Sequence, residues 1–556
     1  MTQMTLNETL QIGRRHHQTG RWAEAEKIYH QVLAQQPNHP EALHLLGMLA
    51  GQRGQLNTAV ELIGRTVQLR PDYAEAHNNL ANALRDMGQL DDAVASYQRA
   101  IRFKPDLAGA YNNLANALKD MGQIDQAIAA YREAVRLKPD YAEAHGNILL
   151  ALHYSPAFDP RSLLLESGQW NRRHAEPRER FIQPHANDRD PDRRLRLGYV
   201  SPDFRDHPVS RFVLPLLAAH DHTAFDIFAY SVVSAHDKIT TKLKACCDTW
   251  RSTVGLSDEQ AAEMIRQDRI DILIDLAGHT AENRLPIFAH KPAPVQVTWL
   301  GYPGTTGLAT MDYRLTDALA DPPGVTDEFC TERLIRLPRT NWCFGPPDDA
   351  PAVNELPAIA NHRVTFGSFN NLAKVNEPML TLWAKILHAV PGSKLLLKAK
   401  PLRCASVQQR LRNTMTEAGI EPDRLEMIGW APSAVYLATY NRLDIALDTY
   451  PYHGTTTTCE SLWMGVPVVT LSGESHVSRV GVSLLSNAGL PQLIALTPEQ
   501  YAQIAVDLAN DLPRLSELHH TLRRRMAASP LMDRQAFARD METVYRAIWR
   551  DWCARK

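Results

Sequence analysis

A run of threonines at residues 455–458 is the part of this sequence with the clearest chemical use. A short apolar segment, Ile445–Leu447, precedes it, and the stretch from Thr456 to Met464 has a helical pattern. Hydroxyl side chains at the start of a helix act as N-caps, and the free N–H groups there, with the positive end of the helix dipole, bind phosphate. The segment therefore predicts a phosphate site, although a capped helix without any ligand shows the same pattern.

One acidic residue indicates which kind of phosphate compound would bind. Glu460 lies one turn into the predicted helix, where its charge would repel a phosphate at the helix start. A carboxylate accepts hydrogen bonds, so it suits the two hydroxyls of a ribose better. The loop therefore predicts a nucleotide site, with phosphates at the threonines and a ribose at Glu460.

A histidine in another loop could move a proton. His207 follows the apolar run LRLGYVS and stands beside Pro208. An imidazole with an ordinary pKa of about 6.5 can accept a proton from a hydroxyl near neutral pH. Loop histidines are common, so the residue alone leaves a catalytic and a structural role open. We interpret three other loop histidines as structural and two aspartates as weaker catalytic alternatives: His279, His453 and His476, then Asp268 and Asp271.

Metal-binding patterns are missing from the sequence. Its seven cysteines are scattered, without a CxxC pair or a His/Cys cluster at zinc spacing, which indicates a reducing compartment. The closely spaced Asp188, Asp190 and Asp192 fall in a stretch rich in proline and arginine, and we interpret them as solvated. We expect no metal and no other cofactor.

The elements that must position these loops begin at Leu195, where short β-rich runs alternate with helical stretches. Such alternation predicts parallel sheets covered by helices. The proline-rich segment 338–359 divides the runs into two series, so we predict two doubly wound, Rossmann-like domains with a cleft between them. In such folds ligands bind beyond the carboxyl ends of the strands, where the loops of His207 and the threonines fall.

The first third of the chain is a repeat. Pro37, Pro71, Pro105 and Pro139 recur every 34 residues, the tetratricopeptide period, which predicts helix pairs stacked into an α-solenoid. From the third repeat onward, asparagines recur on the first helix of each pair: Asn79, Asn82, Asn113, Asn116 and Asn147. A side-chain amide both donates and accepts, so this ladder could hold the backbone of an extended peptide. Hydrogen bonding between repeats is the alternative.

These patterns divide the 556 residues into segments. We predict repeats over 1–153, a linker over 154–195, a first Rossmann-like domain over 196–345, a second linker over 346–361, a nucleotide-binding domain over 362–530, and a closing helix over 531–556 that packs back across the domain junction. The net charge of −2 gives no basic excess for nucleic acid, and the apolar runs are too short to span a membrane. Because no apolar leader is visible either, we expect a cytoplasmic protein without nucleic-acid or membrane partners.

Several motifs together carry a resemblance. The stretch from Glu460 to Val469 looks like the nucleotide-sugar signature of two-domain GT-B glycosyltransferases. The chain as a whole resembles the O-linked N-acetylglucosamine transferase family, on the repeats and four further motifs: SPDFRDHPVS (201–210), WLGYPGTTG (299–307), MDYRLTD (311–317) and FNNLAKV (369–375).

The resemblance implies a UDP-N-acetylglucosamine donor, held mainly by the second Rossmann-like domain. It implies that His207 serves the reaction, as a base or by orienting the substrates, and that Glu460 binds the ribose. The remaining matches are Asn371, Lys374, Thr455, Thr456 and Thr457 for the diphosphate, Ala431, Pro432, Ser433 and Tyr436 for the uracil, and Gly301, Tyr302, Pro303, Gly304 and Thr305 for the sugar and acceptor cleft. Tyr436 replaces a histidine that stacks on the base, and Ser433 replaces a lysine.

The activity implied is an inverting transfer of N-acetylglucosamine to Ser/Thr hydroxyls of proteins or peptides bound along the repeats. A GT-B transferase that modifies asparagine, or that uses another acceptor or sugar, is one alternative. The other is a non-catalytic repeat scaffold with a degenerate transferase domain, because Thr455, Ser433 and Tyr436 depart from the family pattern.

Overall fold

The structure is a computed structural model that describes residues 5–157, 159–430 and 432–555, with the backbone only at 433 and 434. The chain forms two compact units. The first reaches to Ala144 and includes Lys400–Leu411, and the second comprises His145–Ala399 and the chain from Arg412 onward.

The first unit consists of antiparallel helix pairs, as the 34-residue period predicts. Four glycines with positive φ, at 20, 54, 88 and 122, make the turn inside each pair, a conformation that costs glycine nothing. The second helices bury small and aromatic residues such as Ala25 and Tyr29, both fully buried. The helices are Leu6–Gln18, Trp22–Gln35, Pro40–Gln52, Leu56–Leu69, Ala74–Asp86, Leu90–Phe103, Ala108–Asp120 and Ile124–Leu137, followed by Ala142–Leu152, which contains the unit boundary.

The second unit contains a parallel seven-stranded sheet with the order β3-β2-β1-β4-β5-β6-β7. Its strands are β1 (Leu195–Ser201), β2 (Phe225–Ser231), β3 (Thr249–Ser252), β4 (Ile272–Asp275), β5 (Val295–Thr298), β6 (Tyr313–Asp317) and β7 (Arg333–Leu337). The connecting helices are Ser210–Leu217, Lys238–Ala245, Asp258–Gln267 and Leu285–Ala289.

A second parallel sheet in this unit has six strands in the order β10-β9-β8-β11-β12-β13. Its strands are β8 (Thr365–Ser368), β9 (Lys394–Lys398), β10 (Leu425–Ile428), β11 (Ile445–Leu447), β12 (Val468–Leu471) and β13 (Ile494–Ala495). The helices of this region are Pro357–Asn361, Glu377–Ala389, Ser433–Ala438, Thr456–Trp463, Val480–Asn487, Pro498–Asn510 and Leu512–Ala527. The helix Ala405–Glu417 belongs to the first unit up to Leu411 and to the second from Arg412.

Both sheets have the doubly wound topology that the sequence predicts, and in both the strand order reverses beside the first strand. The reversal lies between β1 and β4 in one sheet and between β8 and β11 in the other. Ligands of such folds bind at this switch point, beyond the carboxyl ends of the strands. The loops after β1, β8 and β11 carry His207, Lys374 and the threonine run.

Two further segments pack onto these sheets. Residues 160–179 are helical, as Pro160–Trp170, a five-residue π-helical turn and Glu176–Glu179, and they bury Trp170. The last helix, Arg534–Ala554, contributes Phe537, Met541 and other apolar side chains to the core of the seven-stranded sheet. None of the described helices is both long enough and apolar enough to cross a membrane.

Candidate functional site

The loop after β11 is organised around the buried carboxylate of Asp448, which is 3% exposed. Its Oδ1 accepts hydrogen bonds from the backbone N–H groups of Thr449 (2.9 Å) and Gly454 (2.7 Å) and from Asn370 Nδ2 (3.1 Å). Its Oδ2 accepts one from Thr470 Oγ1 at 2.9 Å. Sequence reasoning did not single out Asp448, although an aspartate directly after a buried strand is the signal that could have found it.

The helix Thr456–Trp463 starts from this loop, and no side chain caps it at Thr455. The first-turn N–H groups of a helix have no partner within it, so they are available to an anion. A Cβ on Gly454 would lie 2.2 Å from Thr457 Oγ1, so glycine is needed for the loop to approach the helix. The Thr457 hydroxyl itself donates to Asn370 Oδ1 at 2.6 Å, so the donor that this threonine can offer a phosphate is its backbone N–H.

Lys374 reaches the same loop from the turn after β8. Its Nζ donates to the carbonyl oxygen of His453 at 2.8 Å and lies 3.9 Å from the centroid of the Tyr452 ring. Burial lowers the pKa of Lys374 to about 8, and the charge of Asp448 opposes that shift. We call Asp448, Gly454, Lys374 and residues 455–457 the phosphate end of the site.

Asn371 opens the turn that carries Lys374, and its role in the structure is a local one. Its side chain is the N-cap of the turn, accepting from the N–H of Ala373 at 3.1 Å, and the residue is exposed. The neighbouring Asn370, which sequence reasoning passed over, makes the buried contacts with the phosphate end.

Glu460 lies on the inner side of the threonine helix and is 8% exposed. Its Oε2 accepts a hydrogen bond from the Tyr436 hydroxyl at 2.9 Å, and the Tyr440 hydroxyl lies 3.5 Å from the same oxygen. Burial raises the pKa of Glu460 to about 7, although the bond from Tyr436 and the charges of Arg211 and Lys398 oppose that shift. Glu460, predicted to bind the ribose, and Tyr436, predicted to stack on the base, are thus hydrogen-bonded to each other.

The uracil segment is described in part. Ala431 and the side chain of Ser433 lie outside the described residues, and Pro432 is exposed just before the helix Ser433–Ala438. Phe369, at the end of β8, packs on Tyr440 with ring centroids 4.5 Å apart.

A second lysine, Lys398, stands in this neighbourhood at the end of β9 and was missed by sequence reasoning. It is 4% exposed, and its Nζ lies 3.9 Å from the centroid of the Tyr436 ring and 5.8 Å from that of Phe369. Burial lowers the pKa of Lys398 to about 8, and the charge of Glu460 opposes the shift. We call Phe369, Lys398, Tyr436, Tyr440 and Glu460 the base end of the site. A lysine that ends an apolar strand beside a predicted site was the available signal.

His207 occupies the loop after β1 together with an acidic partner. Its Nδ1 lies 3.4 Å from Asp203 Oδ1 and 3.4 Å from the backbone nitrogen of Val209. Burial and the charge of Arg205 lower the pKa of His207 to about 4, so the imidazole is neutral at pH 7. Burial raises the pKa of Asp203 to about 6. Sequence reasoning missed Asp203, which stands four residues before the histidine.

The turn after β5 contributes two kinds of residue. Gly301, Tyr302 and Pro303 line a cavity together with Thr455 and His476. A Cβ on Gly301 would lie 2.0 Å from the carbonyl oxygen of Leu276, so the strand end allows only glycine there. The predicted sugar turn and the phosphate end therefore share one cavity.

The rest of the turn is occupied by internal contacts. The Tyr302 hydroxyl lies 2.9 Å from His153 Nε2, and a Cβ on Gly304 would lie 2.7 Å from the same nitrogen. The hydroxyl of Thr305 donates to the buried Glu332 at 2.7 Å. The Tyr302 hydroxyl and the Thr305 side chain thus hold the turn from within, although Tyr302 also lines the cavity.

The other loop histidines are bonded to protein groups. His279 Nε2 and His453 Nε2 each donate to a backbone carbonyl at 2.8 Å, and His476 Nδ1 lies 2.6 Å from Asp321. Asp268 and Asp271 precede β4, at the sheet edge opposite the predicted site, and pair with Arg251 and Arg193. That position rules out both aspartates as partners of the loop after β1.

In the repeat unit the ladder asparagines bond to their neighbours. Asn82 Oδ1 and Asn116 Oδ1 accept from the buried hydroxyls of Tyr97 (2.6 Å) and Tyr131 (2.7 Å) within the same repeat. Between repeats, Asn79 Nδ2 lies 2.9 Å from His44 Nε2, and Asn113 Nδ2 donates to Asn78 at 3.2 Å. Asn147 is 8% exposed and lies in the second unit.

Comparisons with known proteins agree with this architecture. The model of Glycosyl transferase family 41 matches residues 176–346 and 353–541. Tetratricopeptide models match residues 16–83, 81–122 and 108–141. A mutant of the Thermobaculum terrenum O-GlcNAc transferase superposes with a TM-score of 0.86 at 40% identity, over 92% of this chain and 98% of that one.

Curated relatives match in sequence. A Petunia hybrida protein named probable UDP-N-acetylglucosamine–peptide N-acetylglucosaminyltransferase SPINDLY is 46% identical over 375 residues, 66% of this chain and 40% of its own length. The UDP-N-acetylglucosamine–peptide N-acetylglucosaminyltransferase of Caenorhabditis elegans is 27% identical over 475 residues, 64% of this chain and 41% of its own. The chain thus spans less than half the length of these relatives.

Proposed function

Because the chain belongs to glycosyl transferase family 41, we propose that it transfers N-acetylglucosamine from UDP-N-acetylglucosamine to serine and threonine hydroxyls of proteins. The observation that carries the proposal is the phosphate end, where the half-buried Lys374 and an uncapped helix start meet at the loop that Asp448 orders, at a sheet switch point. Such a site suits a nucleoside diphosphate. The names of the relatives support the sugar and the peptide acceptor.

In this proposal the donor extends along the edge of the six-stranded sheet. Its diphosphate lies at Lys374 and the N–H groups of residues 455–457, its ribose at Glu460, and its base against Tyr436. Asn371 stays a proposed diphosphate contact, and the sugar occupies the cavity beside Gly301. Lys374 and the helix dipole neutralise the phosphates, so no metal is required.

His207 is the proposed catalytic residue. The negative charge of Asp203 favours a proton on Nδ1 of His207, and Nε2 then has a free lone pair. The hydrogen bond from the Val209 N–H to Nδ1 requires the tautomer in which Nδ1 carries no proton. That bond lacks the favourable charge that the Asp203 carboxylate supplies to a proton on Nδ1. Nε2 accepts the proton of the acceptor hydroxyl while the hydroxyl oxygen forms the bond to the anomeric carbon. The bond from that carbon to the diphosphate oxygen breaks, UDP leaves, and in-line attack inverts the anomeric centre.

Protein acceptors are proposed to bind along the repeat unit. The hydroxyls of Tyr97 and Tyr131 hold the amide oxygens of Asn82 and Asn116, so among the described residues their Nδ2 groups have no acceptor. These donors could bind backbone carbonyls of an extended peptide.

A test combines a donor panel with two variants. Full-length protein is incubated with acceptor proteins and UDP-N-acetylglucosamine, other UDP-sugars or GDP-sugars, and products are mapped by mass spectrometry. We expect N-acetylglucosamine on Ser/Thr, about a thousandfold loss of turnover in His207→Ala with UDP affinity within about twofold of wild type, and loss of UDP binding in Lys374→Ala. Modification of asparagine alone, transfer from a GDP-sugar alone, or no nucleotide binding would each contradict the proposal.

The pH profile tests the pairing of His207 with Asp203. Since the pKa of Asp203 is about 6, its carboxylate is lost as the pH falls through that value, and kcat/KM should fall with it. Asp203→Asn should lower kcat at pH 7.5 by about a hundredfold and remove this limb. A profile unchanged in Asp203→Asn would show that the aspartate does not act through the histidine.

A further inference from the structure

The residue Lys398 is 4% exposed, and its ammonium has no hydrogen-bond acceptor among the described residues. No described residue accepts a hydrogen bond from it or forms an ion pair with it within 4.0 Å, and its nearest partner is the face of the Tyr436 ring, 3.9 Å away. An ammonium has three N–H donors, and those that water does not reach are costly to leave without acceptors. Lys374 differs here, because the carbonyl of His453 accepts from its Nζ at 2.8 Å.

The position of Lys398 indicates where an acceptor would come from. The residue ends β9, which pairs with β8, and β8 pairs with β11, so its side chain shares the sheet edge with the phosphate end. The ring it lies over is the ring proposed to stack on the nucleobase. Glu460, the proposed ribose ligand, lies close enough for its charge to act on the ammonium.

We propose that Lys398 reads the nucleobase, donating from its ammonium to the exocyclic carbonyl that uracil and guanine have where cytosine and adenine have an amino group. This inference rests on the proposed function, since it assumes that the site binds a nucleoside diphosphate. An ammonium can only donate, so a carbonyl oxygen satisfies it and an amino group does not.

The local charges fit this role. Burial lowers the pKa of Lys398 to about 8, which leaves the side chain mostly protonated at pH 7. Glu460, the nearby carboxylate, already accepts from the Tyr436 hydroxyl at 2.9 Å. Because Nζ lies 3.9 Å over the Tyr436 ring, a base that stacks on that face would displace it to the edge of the ring, where the carbonyl of the base would supply the acceptor that the described residues do not.

Binding of UDP, GDP, CDP and ADP to the full-length protein, measured by calorimetry, tests the proposal. We expect wild type to bind a nucleotide with a carbonyl base roughly tenfold to a hundredfold more tightly than CDP or ADP, the range of one hydrogen bond to a charged group. Lys398→Met should lose that preference by weakening UDP or GDP, with CDP affinity unchanged. Lys398→Gln, which keeps an N–H donor, should retain part of it.

Matched controls separate this role from a structural one. Lys394→Met makes the same change at the other end of β9, and the preference should stay intact. Lys374→Ala should weaken all four nucleotides alike. Equal losses of UDP and CDP in Lys398→Met, or no preference in wild type, would overturn the proposal.

The same binding experiment distinguishes a failure of the proposed function from a failure of the proposed role of Lys398. If wild type binds GDP and rejects UDP, the UDP donor is wrong but the reading of a carbonyl by Lys398 stands. If wild type binds none of the four nucleotides, both proposals fail.

Discussion

The phosphate end and the base end lie at the same sheet edge but are built in opposite ways. At the phosphate end Asp448 gathers four hydrogen-bond donors from three parts of the chain, and Lys374 has its own acceptor. At the base end burial raises the pKa of Glu460 and lowers that of Lys398, as it lowers that of Lys374, but no described residue accepts a hydrogen bond from Lys398. The Asp448 network is complete within the protein and leaves the helix N–H groups for an anion, whereas Lys398 at the base end has no acceptor among the described residues.

The difference separates stability from recognition. A preorganised network positions phosphate donors before the ligand arrives, so its loss should destabilise the fold. A pair of desolvated charges lowers the free energy of unfolding, and this loss is recovered only when a ligand binds. Substitutions at the phosphate end should therefore lower both the free energy of unfolding and the nucleotide affinity. Substitutions at the base end should change the nucleotide affinity, or the pH dependence of stability, more than they change the free energy of unfolding at acidic pH.

The largest effect is expected from Asp448→Ala. Removal of the carboxylate leaves buried donors such as the Gly454 N–H and Asn370 Nδ2 without an acceptor, which should lower the free energy of unfolding by about 4 kcal/mol. Urea denaturation measures this loss, and calorimetry should show no UDP binding.

A matched control lies at the other end of the same strand. Asp444 is fully buried and accepts from the N–H groups of Ala358 and Thr365, each at 2.7 Å, before β11 begins. Asp444→Ala should destabilise the fold while UDP affinity per folded molecule stays within about twofold of wild type. If both variants lose UDP affinity equally, the special role of the phosphate end is contradicted.

The same contrast shows what sequence alone could predict. The repeats and the two sheets were predictable because each is a periodic pattern, of 34 residues or of alternating strand and helix. The threonine loop was predictable because four hydroxyl residues open a helical pattern a few residues after an apolar strand. The hydrogen bond of Asp448 to Asn370, 78 residues away, and the 3.4 Å approach of Asp203 to His207 depend on strand order and loop shape, which periodicity does not encode. Lys398 was missed because a lysine at the end of a strand is ordinarily expected to point its ammonium into solvent.

A smaller effect, and one that depends on pH, is expected at Glu460. Its pKa rises from 4.5 to about 7 on folding, so the folded state binds the proton more tightly than the unfolded state. Stability from this group is present below pH 4.5 and is lost as the pH rises toward 7. Glu460→Gln cannot titrate, so its free energy of unfolding relative to wild type should increase by about 2 to 3 kcal/mol between pH 4.5 and 7.5.

The measurement is a series of urea denaturation curves for both proteins across that range. It stops at pH 7.5 because the nearby Lys398, with a pKa of about 8, begins to lose its proton above it. A difference between the two proteins that is constant with pH would show that Glu460 is not desolvated in the folded state.

The smallest effect is expected from Tyr436→Phe, which removes the hydroxyl that donates to Glu460 and keeps the ring. A bond to an ionised carboxylate is stronger than one to a neutral acid, so the variant should lose about 1 kcal/mol of stability at pH 7.5 and less at pH 5. The pKa of Glu460 should rise further, since that bond now opposes the effect of burial. UDP affinity should stay within about threefold, because the phenyl face still stacks on a base. If Tyr436→Phe destabilises the protein as much as Asp448→Ala, the base end is as preorganised as the phosphate end, and the contrast between them is wrong.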